Sequence, residues 1–287
     1  MHNPTLAAAR RWYAEDLRVT APIRHTPRLV EAFAAVPRED FLGPGPWRVL
    51  PDGRFDAPYD SPDADPRILY HAVLIAIDGT RDLNNGSPRL WAYLFDVAEL
   101  GPGARILQIG AGTGYYTAIL AEVVGKTGQV IGVELDPALA ARAAANVAAW
   151  PNATVIAADG TTYNPGPVDA VIAFAGATHP APLWLDRLTE GGSLLMALTA
   201  EHHFGFMLHA RRRGDAFTAR SRGRVGIFNC AGARDAAAAK ALQRKFARLR
   251  GPVPVRSLHR GTPDPRDCSV WYAGPGFWLS RKPLPES

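Results

Sequence analysis

From Arg105 to about Leu198, short aliphatic runs alternate with longer segments in which apolar residues recur at helical spacing. That alternation predicts βαβ units and a parallel sheet. The expected strands are Arg105–Ile109, Gln129–Glu134, Ala153–Ala157, Val168–Phe174 and Ser193–Leu198, each aliphatic and bounded by Gly, Pro, Asp or Asn. The clearest helix between them is Pro137–Trp150: Asp136 suits the cap, Pro137 the first turn, and the alanine-rich body favours helix. Upstream, Asn3–Asp16, Thr26–Ala35 and Pro88–Leu100 read as helices, and the Pro- and Gly-rich stretch Val36–Pro66 as a long irregular arm. Downstream, Phe204–Ala210 and Arg224–Phe228 read as antiparallel strands, Arg234–Arg248 as a basic helix and Ser269–Leu279 as a late strand. The expected class is α/β, doubly wound and Rossmann-like. Its parts are N-terminal helices with an arm (1–98), a nucleotide-binding core (99–230) and a helix–strand extension (231–287).

Composition narrows the setting. A chain of 287 residues with 47% hydrophobic content can bury a substantial core. No apolar run approaches the roughly 18 residues of a membrane span, and the first twenty residues hold no apolar signal segment, so a soluble cytoplasmic protein is expected. Cys230 and Cys268 are too few for a disulfide framework and are not spaced as a metal site, so two thiols and no metal are expected. The net charge is +5, with Arg211, Arg212, Arg213, Arg220, Arg222 and Arg224 crowded together. No aromatic–basic motif accompanies them, and a solvated hairpin explains them without a nucleic-acid partner.

The chemistry concentrates in Ile106-Leu107-Gln108-Ile109-Gly110-Ala111-Gly112-Thr113-Gly114-Tyr115-Tyr116, an apolar strand, then alternate glycines, then a helical pattern. Gly110 and Gly112 allow a tight turn and close approach to a ligand, and Gly114 opens a helix whose free N–H groups face it. Glu134 ends the second strand 20 residues after Gly114, where a carboxylate can accept from both hydroxyls of a ribose. Asp159-Gly160 ends the third strand, where a carboxylate can accept from the amino group of an adenine, although an ordinary Asp-Gly turn would look the same. A nicotinamide dinucleotide is the main competitor, but its fingerprint is G-x-G-x-x-G; here the spacing is G-x-G-x-G and Tyr115 falls where its third glycine would be. S-adenosylmethionine fits this spacing better.

Gln108–Ala118, Gly132-Val133-Glu134-Leu135-Asp136-Pro137 and Ala158-Asp159-Gly160 together resemble the protein-L-isoaspartate O-methyltransferase family. Val168–Ile172, Leu188–Leu195 and the phrase Val36-Pro37-Arg38-Glu39-Asp40-Phe41 extend the resemblance over roughly residues 30–230. It implies a methyltransferase with a seven-stranded mixed sheet, S-adenosylmethionine as methyl donor, and transfer to a carboxylate oxygen of a peptide, protein or small molecule. Gly110, Gly112, Glu134 and Asp159 carry over as cofactor contacts, with Gly114, Tyr115 and Gly160 beside them.

The acceptor side departs from the family. Where relatives read Thr-Ile-Ser-Gln-Pro, this chain has Asn84-Asn85-Gly86-Ser87-Pro88, so glycine stands at the functional serine. Gln108 also replaces a common acid. A carboxylate acceptor needs orientation rather than a base, which makes Asn84, Asn85 and Ser87 the candidates to position it, though Ser87 before Pro88 is equally a helix cap. For a hydroxyl or amine acceptor, His179 beyond the fourth core strand is the candidate base, with Tyr70 and His71 weaker candidates. Tyr115 and Tyr116 either cover the cofactor or pack. A cofactor-binding protein that has lost isoaspartyl repair is the alternative reading. Oligomeric state leaves no mark on the sequence.

Overall fold

The computed structural model describes residues 5–51, 57–81 and 83–285. Along the chain run α1 (Leu6–Thr20), α2 (Arg28–Ala35), β1 (Arg48–Leu50), β2 (Tyr59–Asp60), β3 (Leu74–Asp78), β4 (Leu83–Asn84) and α3 (Pro88–Val97). The core continues with β5 (Arg105–Ile109), α4 (Tyr115–Val124), β6 (Gln129–Glu134), α5 (Pro137–Asn146), β7 (Ala153–Ala157), β8 (Val168–Ala177), α6 (Pro182–Asp186) and β9 (Leu188–Thr199). Then follow β10 (Phe204–Arg213), β11 (Ala216–Gly226), α7 (Ala236–Ala247), β12 (Ser257–Arg260), β13 (Val270–Gly274) and β14 (Phe277–Ser280). The chain divides into two units: one of residues up to 104 with 111–157, the other of 105–110 with 158 onward.

In the first unit, β6 and β7 pair in parallel, Val130 opposite Ala153 and Glu134 opposite Ala157. The helices begin at caps legible in sequence: Asp136 accepts from Ala138 and Leu139 N–H at 2.9 and 3.0 Å, and Ser87 accepts from Leu90 N–H at 3.4 Å, each before a proline. Asp96, buried in α3, accepts three backbone N–H bonds from Arg24, His25 and Thr26 at 3.0, 2.7 and 2.7 Å, clamping the α1–α2 connection. The arm expected to be irregular instead contributes to a four-stranded antiparallel sheet, order β2-β1-β3-β4. Its strands of two to five residues are too short for alternation to show. Residues 3–4 of the first expected helix and 52–56 of the arm lie outside the described residues.

In the second unit, β13-β14-β12-β11-β10-β9-β8-β5 form one sheet. β5, β8 and β9 run parallel, and the strands beyond β9 antiparallel. The mixed α/β sheet is as expected, and the C-terminal segment enlarges it with β12–β14. The late strand expected as Ser269–Leu279 is a hairpin: Gly274-Pro275-Gly276 breaks it, with Gly276 at φ 72°. Helix ends also shift. α5 stops at Asn146 rather than Trp150, and the chain goes on in tighter turns in which Ala148 N–H reaches Ala145 O at 3.3 Å and Trp150 N–H reaches Val147 O at 2.9 Å; α3 stops at Val97, and Glu99 turns the chain at φ 56°. The expected strand 224–228 is the tail of the longer β11. The arginine cluster sits on the β10–β11 hairpin, where Arg212 donates to Leu188 O at 2.6 Å and Arg222 reaches His209. Burial, Arg222 and Arg211 push His209 down to about 3. No helix of the described residues is long and apolar enough to cross a membrane, and both cysteines are free.

Candidate active site

The turn after β5 has all three glycines in the left-handed region: Gly110 at φ 79°, Gly112 at 58° and Gly114 at 90°. Gly114 is the residue before α4, and a Cβ there would lie 2.9 Å from Val147 Cγ1 and 3.1 Å from Ala143 O. Conformation and space therefore both demand glycine, and α5 packs directly on the turn. In the first unit Glu134 closes on this turn: Oε2 accepts from Gly112 N–H at 2.8 Å and Oε1 from Asp136 N–H at 3.2 Å. Two oxygens with about four acceptor directions leave capacity beyond these two bonds.

A third element of the same unit borders the turn. Ile77 of β3 points at Gly112, its Cδ1 3.9 Å from where a Cβ would stand. Arg81, in the β3–β4 connection, bridges Asp78 at 2.7 Å and Asp136 at 2.5 Å. Hydrogen bonds from Thr80 and Arg81 hold the Asp78 carboxyl at about 2, and those from Leu139 N–H and Arg81 lower that of Asp136. This bridge between the β3–β4 connection and the residue two beyond Glu134 is a link that sequence reasoning missed.

Tyr115 is buried. Its ring is 2% exposed and packs edge-on against Phe33 and Phe41 at 6.4 and 5.6 Å, with the Arg38 guanidinium 5.9 Å from its centroid. Of the two readings of its side chain, covering the cofactor or packing, the buried ring supports packing, because the first residue of α4 points inward between α2 and the arm. Tyr116 is buried too, and its hydroxyl donates to Gly86 O at 3.2 Å.

The second unit carries Gly110, Asp159 and Gly160. Gly160 lies flat on the end of β5, a Cβ there falling 2.5 Å from Ile109 Cγ2, and its carbonyl accepts from Trp184 Nε1 at 2.8 Å. Asp159 Oδ1 accepts from Thr161 N–H and Oγ1 at 2.8 and 2.7 Å, the Asp-Gly turn chemistry weighed in sequence. Its Oδ2 faces the chain at Gly232, where a Cβ would come within 3.1 Å. The neighbouring Cys230 thiol is pushed up to about 11 by burial and Asp159, so it is no nucleophile at neutral pH. His179 lies past β8, which runs four residues beyond Ala173, the partner of the last β5 residue. Its Nδ1 lies 2.9 Å from Thr178 Oγ1, and Asp235 N–H donates to that same hydroxyl at 2.9 Å. Burial lowers the imidazole, against Asp235.

The acceptor segment is organised by a residue that no motif marked as chemical. Arg38 is fully buried. It donates to Leu69 O at 2.5 Å, His71 O at 3.2 Å and Val73 O at 2.7 Å, and to Asn85 Oδ1 at 3.2 Å. Asn85 Oδ1 also accepts from Ile75 N–H at 2.9 Å, which fixes the amide orientation, since both partners are donors. Its Nδ2 is buried without a hydrogen-bond partner among the described residues. Asn84 Oδ1 accepts from Gly86 N–H at 2.9 Å, a local turn, and Ser87 is the α3 cap, 8% exposed. Gly86 has φ 78°, and a Cβ there would sit 2.7 Å from Trp91 Nε1. Tyr70 donates to the Glu39 carboxylate and accepts from Arg38 N–H at 3.2 Å; its phenol is pushed up by burial and Glu39, while the His71 side chain is exposed. Of the three polar candidates, Ser87 Oγ and Asn84 Oδ1 are spent on local backbone, and Asn85 Nδ2 is the buried donor left without a partner among the described residues.

Comparison with known proteins identifies the family. The profile of the family described as protein-L-isoaspartate(D-aspartate) O-methyltransferase matches residues 67–228. The protein-L-isoaspartate O-methyltransferase of Pyrobaculum neutrophilum is 32% identical over 189 residues, covering 64% of this chain and 81% of that protein. That of Ignicoccus hospitalis is 35% identical over 126 residues, 42% of this chain and 59% of the relative. Among solved structures, a protein-L-isoaspartate O-methyltransferase superposes with TM-score 0.67 at 22% identity, over 84% of this chain and 71% of the other. A β-aspartate methyltransferase from Plasmodium falciparum, solved with S-adenosyl-L-homocysteine, gives 0.60 at 18% identity over 77% and 97%. At those identities the superpositions speak for the fold.

Proposed function

Because the chain belongs to the protein-L-isoaspartate O-methyltransferase family and is an S-adenosylmethionine-dependent methyltransferase, we propose that it esterifies a peptide or protein carboxylate other than the isoaspartyl group its relatives are named for. Gly110, Gly112, Gly114 and Glu134 would hold the methionine and ribose portions of the cofactor, and Asp159 with Gly160 the adenine. The left-handed turn and the spare acceptor capacity of Glu134 fit that group. Bound there, S-adenosylmethionine supplies a methyl group activated by its sulfonium. The residues of the chain have to align an acceptor oxygen for in-line displacement and keep water out. An ionised carboxylate is already the nucleophile, so it needs a hydrogen-bond donor to fix one oxygen, and the buried Nδ2 of Asn85 is available for that. His179, kept neutral by burial, would serve as base only if the acceptor were a hydroxyl or amine.

The observation that carries the acceptor reading is Gly86. At the position of the relatives' serine, left-handed backbone and the Trp91 indole 2.7 Å from a Cβ leave no room for a hydroxymethyl group. A methylation assay with matched peptides carrying either isoaspartyl or ordinary aspartyl residues tests this. Transfer to the ordinary carboxylate should exceed transfer to isoaspartyl. Robust isoaspartyl turnover would replace the reading with plain repair, and transfer to neither peptide by cofactor-loaded enzyme would remove a peptide acceptor.

A further inference from the structure

The net charge of +5 is unevenly placed: residues 231–287 hold eleven Lys and Arg against four Asp and Glu, whereas the first 230 residues hold 21 against 23. The excess therefore belongs to the C-terminal segment. There a cavity of about 500 Å³ opens beside α7, rimmed by Arg244, Lys245, Arg248, Arg250 and Arg281 and floored by Leu249 and Trp271. All five cations are exposed, and none has a carboxylate within 4 Å among the described residues, unlike Arg260 with Asp186 or Arg266 with Asp264. Burial, Arg281 and Arg248 lower the Lys245 ammonium, a strain that a nearby anion would relieve.

The shape of the site selects among anions. Arg244 and Arg248 are one helical turn apart, about 6 Å of rise, close to the roughly 6.8 Å between side chains two residues apart on an extended strand. Trp271 is 3% exposed and held between Phe206 and Phe246 at 5.8 and 6.2 Å, so it offers an apolar edge and no free face for a stacked base. Cations converging on a concave surface focus the field there, where scattered surface pairs would contribute little.

We propose that this cavity is a docking site for an extended acidic polypeptide segment, whose alternate carboxylates, on one face of the strand, meet the five cations while their methylene stems rest on Leu249 and Trp271. The inference does not depend on which carboxylate is methylated, and its test measures binding alone. A short labelled peptide alternating Glu with Leu is titrated by fluorescence anisotropy, beside a Gln/Leu peptide, inorganic polyphosphate and a single-stranded oligonucleotide. The acidic peptide should bind saturably, more weakly with rising salt. Affinity should fall about tenfold or more in Arg244→Glu/Arg248→Glu and less than about twofold in the control Arg266→Glu. Leu249→Ser should weaken the peptide and leave polyphosphate unchanged. Should the double variant fail to fold, Lys245→Gln replaces it, with a loss of about threefold expected. Tighter binding of the oligonucleotide or of polyphosphate, or peptide binding indifferent to these substitutions, overturns the proposal.

Discussion

The glycine turn from Ala111 on and the acceptor segment lie in the same unit and read alike in sequence: a few small or polar residues between a strand and a helix. They use their polar groups differently. Around the turn, Glu134 takes two backbone N–H groups and keeps acceptor capacity outward. In the acceptor segment, Ser87 caps α3, Asn84 closes a turn, and Asn85 is tied by its oxygen to Arg38 and β3. Residue type shows what a group can do, whereas its remaining hydrogen-bond capacity shows what it is free to do. By that measure the buried group left in the acceptor segment is Asn85 Nδ2.

The sharpest way to break the contrast is Arg38→Met. It leaves the carbonyls of Leu69 and Val73 without their side-chain donor and takes one of two donors from His71 O and Asn85 Oδ1, and each unsatisfied buried group costs about 1–3 kcal/mol. We expect a loss of about 3–5 kcal/mol in denaturant unfolding. A loss under about 1 kcal/mol would mean that the arm is not organised by this guanidinium.

Glu134→Ala should act on the other side. It should weaken S-adenosylhomocysteine by about 2–4 kcal/mol in calorimetry, more than Asp159→Ala, because a carboxylate that receives two hydroxyls loses more than one that receives a single amino group. Equal affinities of Glu134→Ala and wild type would remove the ribose assignment.

These contrasts mark what was legible in the sequence. The β5–turn–α4 unit and its acid are local: strand, glycines and helix follow one another, and Glu134 comes one βα unit later, so spacing alone locates them. The caps at Asp136 and Ser87 were legible for the same reason. The acceptor segment is set by partners far along the chain, Arg38 47 residues before Asn85 and Tyr116 30 residues after Gly86, so no local pattern announces them. Tyr115 was ambiguous because an aromatic at a helix start looks the same whether it covers a ligand or fills a core. The short strands of the arm and the break at Gly274–Gly276 escaped because runs of two to five residues carry too little period to be read.

A middle-sized effect is expected from Gly86→Ser, the substitution that rewrites the segment toward its relatives. Left-handed backbone and the contact with Trp91 predict about 1–3 kcal/mol of destabilisation, with no gain in isoaspartyl methylation. A stable Gly86→Ser variant that turns over isoaspartyl peptides would show that the indole yields and that serine alone was missing.

Ser87→Ala is the mildest test and separates the two uses of one hydroxyl. As a cap, Ser87 satisfies Leu90 N–H at the first turn of α3, a role worth about 1 kcal/mol. Its oxygen is long at 3.4 Å and the residue is 8% exposed, so little of it can reach an acceptor. Removing it should lower stability by about 0.5–2 kcal/mol, leave cofactor affinity unchanged and leave kcat for the preferred carboxylate within about twofold. Ser87→Asp, which caps equally well, should restore the stability, and its added charge beside the acceptor segment should raise KM for an anionic acceptor. A large fall in kcat for Ser87→Ala, with stability restored but kcat not restored in Ser87→Asp, would show that the hydroxyl touches the acceptor. Asn85 would then share the positioning role with a residue that the hydrogen-bond geometry assigns to the helix.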